Sequence, residues 1–307
     1  MTFLRILSAF SLLLFLTHLF PNCILKFIKK QNLKSKYNCK WALVTGGSSG
    51  IGGDIATELA KQGINIVIVS KEHDKLVEYQ KSLVSQYNIE CRIICVDLCK
   101  SKESCEIIFN QCKDINLNLL VCNAGYLTME GFHQSDISEK LAMFECTVST
   151  TIRLVDHFYK LMIANKMKGG IVIISSSASV CPSPFSVMYG SSRSFLSGFA
   201  QSLSIESKIH GIDVLAVQPG LVHTNLFNAV PKHLIFKFLN LMGSQKPSDV
   251  TNVVFKSLGR FSIMDSGLFA LISSLSKSLL GINLMIVIIS FICRNLPDFS
   301  NYRKIKI

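Results

Sequence analysis

What most constrains this chain is a succession of short apolar runs, each separated from the next by a stretch with helical periodicity. Trp41–Thr45 is the first, and residues 64–69, 92–96, 119–122, 171–174 and 214–217 repeat the theme. Between the first two, Ile55, Leu59 and Ala60 recur at helical spacing, and residues 74–87 form a longer helix-like stretch. Strands that are apolar almost throughout are covered on both faces, unlike half-wet strands that alternate polar and apolar side chains. The pattern predicts an α/β fold, a doubly wound parallel sheet in one domain over residues 40–260. Ligands of such folds bind beyond the carboxyl ends of the strands, so chemistry is sought there.

Composition then separates the middle from the ends. Hydrophobic types make up 49% of the 307 residues and charged ones 17%. The mean hydropathy of +0.38 is high for a wholly soluble enzyme and excludes a disordered chain. Much of the excess is terminal. Residues 3–25 are long enough to cross a bilayer core of about 30 Å if Pro21 and Asn22 sit near the interface. No small-x-small cleavage site follows, so residues 1–28 are expected to be an uncleaved transmembrane anchor. Arg5 alone flanks it upstream, whereas Lys26, Lys29, Lys30, Lys34 and Lys36 crowd residues 29–39, a basic juxtamembrane linker. The positive-inside bias places the main domain in the cytosol.

Residues 261–307 form a hydrophobic, membrane-associated segment with a basic tail. Its apolar stretch, residues 279–293, reaches only about 22 Å as a helix, which favours a membrane-dipping or core helix over a span. The net charge of +12 is thus largely juxtamembrane, and nucleic acid is not an expected partner. The 11 cysteines are scattered, without a CxxC, and no His stands near Cys91, Cys95 and Cys99. Reduced, buried thiols are expected rather than disulfides, and no metal site.

After the first strand comes Thr45-Gly46-Gly47-Ser48-Ser49-Gly50-Ile51-Gly52. Glycines there allow a tight turn and let backbone approach a pyrophosphate, while the following helix offers free N–H groups. The same residues fit G-x-S-x-G, the hydrolase elbow, with Asp213 and His223 as partners. That elbow normally follows several strands, and here it follows the first, so the phosphate-cradling reading is preferred.

From residue 40 to about 258 the chain resembles the short-chain dehydrogenase/reductase family, whose fold is Rossmann-like. Four motifs carry the resemblance. They are the glycine loop, Asn123-Ala124-Gly125 after the fourth strand, Ser175-Ser176 with Tyr189 thirteen residues after Ser176, and Pro219-Gly220 with Thr224 four residues on. The N-terminal anchor, Trp41-Ala-Leu-Val-Thr-Gly, Ser70-Lys71 and Lys246-Pro247-Ser248 are similar to the membrane-bound 17β-hydroxysteroid dehydrogenase and very-long-chain 3-oxoacyl-CoA reductase branch. The 3-ketodihydrosphingosine reductases come second. Both groups act at the endoplasmic reticulum membrane with NADPH.

The resemblance implies roles. Tyr189 would be the general acid, prepared by a nearby cation because a free tyrosine titrates near 10. Ser176 would hold the carbonyl oxygen. Two departures stand out. The family's Tyr-x-x-x-Lys reads Tyr189-Gly-Ser-Ser-Arg193, and its relay asparagine falls on Thr147. Arg keeps the charge but is not a compact ammonium. The implied cofactor residues are the loop positions Thr45, Gly46, Ser48, Ser49, Gly50, Ile51 and Gly52, with Ser70, Lys71, Asp97, Leu98, Asn123, Ala124 and Gly125. Tyr189, Arg193, Pro219, Gly220, Val222 and Thr224 complete the set. Lys71 in place of an acidic residue favours NADP(H) over NAD(H).

The function expected is therefore a membrane-anchored reductase of a lipid: a 3-oxoacyl-CoA, ketosphingoid base or steroid. The alternative is an NADP(H)-binding pseudoenzyme that has lost turnover through Arg193 and Thr147. An apolar substrate wall is expected over residues 222–243, from Leu226, Phe227, Leu234, Ile235, Phe236, Phe238 and Leu239. Homodimer formation is left open.

Overall fold

The computed structural model describes residues 2–227 and 243–295. Two helices, α1 (Thr2–Phe27) and α2 (Leu33–Tyr37), precede the sheet. The chain then alternates as expected: β1 (Trp41–Thr45), α3 (Gly50–Lys61), β2 (Asn65–Ser70), α4 (His73–Tyr87), β3 (Cys91–Cys95), α5 (Ser101–Gln111) and β4 (Leu117–Cys122). The second half runs α6 (Ile137–Phe144), a π-helical turn (Glu145–Ser149), α7 (Thr150–Ala164), β5 (Gly169–Ile174), α8 (Val187–Glu206), β6 (Ile212–Pro219), α9 (Pro247–Ser257), β7 (Ile263–Ser266) and α10 (Leu268–Asn295).

All strand pairs are parallel, in the order β3-β2-β1-β4-β5-β6-β7. Strand order reverses between β1 and β4, which opens a crevice at their carboxyl ends. Alternate side chains serve the two faces. Ala42, Val44, Ile66 and Ile68 pack with α3, α4 and α9, whereas Leu43, Val67 and Val69 pack with α5, α7 and α8. Burial on both faces is why these strands read as continuous apolar runs.

Three features depart from expectation. The sheet runs past residue 260, because β7 adds a seventh strand whose four residues include Asp265 and show no apolar run. The stretch read as a basic linker instead contains α2, capped by Asn32 and Asn38, with Leu33 and Tyr37 buried. Its charges are engaged by the domain. Lys30 pairs with Glu58 at 3.0 Å, Lys34 donates to the Gly63 carbonyl at 2.7 Å, and Lys36 pairs with Asp213 at 3.0 Å. Third, the C-terminal helix begins at Leu268 rather than 279, and it breaks at Gly281, where φ is 72° and ψ 160°.

The part of α10 before the break buries Ala270, Ser273 and Ser274, while the part after it leaves Leu284, Val287 and Phe291 exposed. This is not a core helix. Taken across the break, the 28 residues of α10 are long and apolar enough to cross a membrane, while the helices on either side of Gly281 are each shorter than a span. Helix α1 packs against it and also reaches the domain, where Leu25 is buried and its carbonyl accepts from Lys256 Nζ at 2.7 Å.

Candidate active site

The loop after β1 adopts the geometry its glycines permit. Gly46 and Gly50 have φ of 63° and 57°, in the left-handed region. A Cβ on Gly52 would overlap the Gly46 carbonyl oxygen, so α3 packs closely on the strand end. Thr45 Oγ1 accepts from the backbone N–H groups of Asn123 and Ala124 at 3.0 and 3.1 Å. Asn123 Nδ2 returns the tie by donating to the Thr45 carbonyl at 3.0 Å. Thr45 and Asn123 thus fasten two carboxyl-end loops to each other.

A cleft of about 860 Å³ opens over these loops. From the first half of the sheet it is lined by Gly46, Ser49, Gly50, Ile51, Ser70, Lys71, Asp97, Leu98, Asn123, Ala124 and Gly125. From the second half come Ser176, Tyr189, Arg193, Pro219, Gly220, Val222 and Thr224. Thr45, Ser48, Gly52 and Thr147 do not line it. Thr45 and Gly52 act beneath the loop instead, through the contacts just given. Asp213 cannot serve Ser48 as the acid of a hydrolase triad: it lies at the start of β6, at the opposite end of the parallel sheet.

Ser176 caps the 3₁₀ turn Ser177–Ser179, its Oγ accepting from Ala178 N at 3.1 Å. Its neighbour Ser175 spends its hydroxyl inside the fold, donating to the Arg193 carbonyl at 2.8 Å. Tyr189 lies in the first turn of α8 and packs with Leu127 and Met143. One helical turn on, Arg193 is only 4% exposed. Its Nη1 donates to the Ile174 carbonyl at 2.7 Å, and its guanidinium carbon lies 5.1 Å from the Tyr189 ring centre. Its Nη2 occupies the place a Cβ on Gly125 would take.

Thr147 sits in the π-helical turn between α6 and α7. Its buried Oγ1 and the Nε of Arg193 have no hydrogen-bond partner among the described residues. A π-turn interrupting a helix is frequently found at functional sites.

Charge is distributed unevenly along the cleft. Lys71 is exposed, and among the described residues it has no carboxylate partner, whereas Glu72 is paired with Lys75 at 2.5 Å. Cys99 and Cys146 also face the cleft, and contact with the Cys146 thiol holds the Cys99 thiol below its ordinary range while Cys146 is pushed up. All eleven cysteines are free thiols.

The sequence pattern of the short chain dehydrogenase family matches residues 40–234. The chain belongs to the short chain dehydrogenase family. Hydroxysteroid dehydrogenase-like protein 1 of Gallus gallus is 30% identical over 203 residues, covering 66% of this chain and 61% of that one. Very-long-chain 3-oxoacyl-CoA reductase of Mus musculus is 31% identical over 194 residues, with 61% of each chain covered. This short chain dehydrogenase therefore spans about three fifths of the length of these relatives. Among solved structures, a 7beta-hydroxysteroid dehydrogenase superposes with a TM-score of 0.74 at 20% identity, over 81% of this chain and 95% of that one. A short-chain dehydrogenase from Sphingobium yanoikuyae in complex with NADPH gives 0.65 at 21%, over 74% and 87%. At such identity these two show the shared fold.

Several cleft residues carry no motif and were not read from the sequence. Leu127, Met129, Leu221 and Phe269 make an apolar wall together with the expected Leu226. Phe269 comes from the start of α10, a segment whose composition speaks only of membranes. Phe227 lies in a 3₁₀ turn. Leu234, Ile235, Phe236, Phe238 and Leu239 lie outside the described residues.

Proposed function

We propose that this chain is an oxidoreductase transferring a hydride between NADP(H) and a keto or hydroxy group of a lipid: a 3-oxoacyl-CoA, a ketosphingoid base or a steroid. The observation that carries this reading is the convergence of Ser176, Tyr189 and Arg193 on one half of a cleft whose other half is the glycine loop. The residues fit a dinucleotide. Gly46 and Gly50 bring backbone to the cleft floor, and a Cβ on Gly50 would press to 3.2 Å from Thr224 Cγ2. Lys71, its neighbour Glu72 already neutralised by Lys75, offers a free cation to a ribose 2′-phosphate. Asp97 and Leu98 would border the adenine, and Pro219, Gly220, Val222 and Thr224 the nicotinamide.

When bound, NADP(H) supplies the hydride. The chain supplies the rest. Ser176 Oγ donates to the substrate carbonyl oxygen and orients it, and Tyr189 gives that oxygen its proton. Arg193 contributes a fixed positive charge over the Tyr189 ring. The wall of Leu127, Met129, Leu221, Leu226 and Phe269 suits an acyl chain or a steroid, and one relative is named for very-long-chain 3-oxoacyl-CoA.

We further propose that α1 anchors the protein in the endoplasmic reticulum membrane with the domain in the cytosol. Its length and the exposure of Leu12, Leu13, Leu16 and Phe20 support this, as does its packing on the apolar helix α10. A second reading, an NADP(H)-binding protein without turnover, is favoured by one observation: Thr147, at the relay position, does not line the cleft. Substrate-dependent NADPH oxidation by the purified protein, tested with long-chain 3-oxoacyl-CoA, ketosphingoid and ketosteroid substrates, decides between them.

A further inference from the structure

We propose that Gln218 is a positioning residue: its buried amide sets the spacing between Ser176, the Tyr189–Arg193 helix and the Pro219-Gly220 segment. The proposal rests on the oxidoreductase reading above. Gln218 lies on β6 directly before Pro219, and it is 3% exposed. Its Nε2 donates to Ser179 Oγ at 2.6 Å and to Ser197 Oγ at 3.0 Å.

The direction of every bond beyond it is determined. Ser179 Oγ donates onward to the Ser176 carbonyl at 2.6 Å. Ser175 Oγ donates to the Arg193 carbonyl at 2.8 Å. A hydroxyl carries a single hydrogen, so in the 2.7 Å contact between Ser175 and Ser197 the donor must be Ser197. Each amide hydrogen of Gln218 therefore starts a one-way chain. One chain ends on the backbone of Ser176 and the other on the backbone of Arg193, while the residues that follow Gln218 are Pro219 and Gly220.

Only a side chain with two hydrogens on one nitrogen fills this place. Glutamate has the same shape but, ionised, only accepts. Ser179 and Ser197 would then turn toward it and release the Ser176 carbonyl and Ser175 Oγ. Fully connected buried networks rigidify what they join, and half-connected ones do not. Since a general acid and its substrate must be held within a fraction of an ångström, loosening these three segments should lower turnover more than binding.

The test uses the full chain in detergent, with a palmitoyl-length 3-oxoacyl-CoA and NADPH. Rates are normalised to the folded fraction measured by circular dichroism. Gln218→Glu should lower kcat by roughly 30-fold or more at pH 8, with the NADPH KM changed by less than about threefold. At pH 6 the buried carboxyl regains a proton and one donor, so kcat should recover by about fivefold relative to the parent, both measured in an Asp265→Asn background because Asp265, beside Gln218 on β7, titrates over the same range. Gln218→Met should lose as much and show no such recovery. A purely structural role would move the melting midpoint and leave the pH profile of the folded enzyme unchanged.

A Gln218→Glu enzyme within twofold of wild type at pH 8, or a loss accounted for by unfolding, overturns the proposal. A wild type without turnover refutes the oxidoreductase reading instead. Gln218 is then judged by the nicotinamide fluorescence of bound NADPH, which reports how residues 219–220 hold the ring. A weaker enhancement in Gln218→Glu supports the positioning role, and an unchanged one overturns it.

Discussion

Arg193 reaches Tyr189 across the face of its ring, with the guanidinium carbon 5.1 Å from the ring centre and Nη1 2.7 Å from the Ile174 carbonyl. The other terminal nitrogen, Nη2, lies over Gly125 where a side chain would begin. An arginine is accommodated at this position because Asn123-Ala124-Gly125 ends in glycine. Gly125→Ala should therefore displace the guanidinium and lower kcat by about 10- to 100-fold. Arg193→Lys in the same chain should recover part of it, because an ammonium has no second nitrogen to collide. A double-mutant cycle on NADPH oxidation should show a coupling of about 1–3 kcal/mol. Additive effects would mean that Gly125 does not serve Arg193.

In the proposed function, Lys71 beside the Glu72–Lys75 pair carries the cofactor preference. In Lys71→Asp the carboxylate would face the 2′-phosphate and instead accept from a ribose 2′-hydroxyl. NADPH should bind at least about tenfold more weakly and NADH no worse, in fluorescence titrations at fixed ionic strength. Equal affinity of the wild type for both cofactors would contradict the assignment.

Asp265 on β7 is pushed up to about 6 by burial, against a weaker opposing hydrogen bond from Ser274. One of its oxygens, Oδ1, has no partner among the described residues. The folded chain thus holds this proton more tightly than the unfolded chain, where aspartate titrates near 3.9. Stability should fall as pH rises from about 4 to about 6 and lose no more from this group above that. Asp265→Asn should remove that slope, raising relative stability at pH 7 by at most about 2–3 kcal/mol. Melting curves between pH 4 and pH 8 check it; parallel profiles for the two proteins would contradict it.

Orientation is tested in sealed microsomes. Protease added outside should digest the domain after residue 40, since α1 would leave it in the cytosol. Full protection would reverse the assigned topology.

Strands β1 to β6 were legible because burial leaves each of them a nearly unbroken apolar run. β7 was not, since Asp265 interrupts a strand of four residues. The glycine loop and the Ser176–Tyr189 spacing could be read because backbone conformation and reacting groups demand particular residues at particular intervals. Gln218 and Phe269 could not. Their roles depend on what the fold sets beside them, and neither belongs to a local pattern. The lysines of residues 30–36 show the converse. They look like a solvated juxtamembrane cluster, yet Glu58, Asp213 and backbone carbonyls of the domain engage them.

The central claim is that Tyr189 is the proton donor of a working reductase. The most direct measurement is NADPH oxidation with a long-chain 3-oxoacyl-CoA, comparing wild type with Tyr189→Phe. Removal of a positioned general acid should lower kcat by about 10²- to 10⁴-fold while leaving NADPH affinity nearly unchanged. A wild type that turns over beside an equally active Tyr189→Phe would contradict the account and move the acid to another residue.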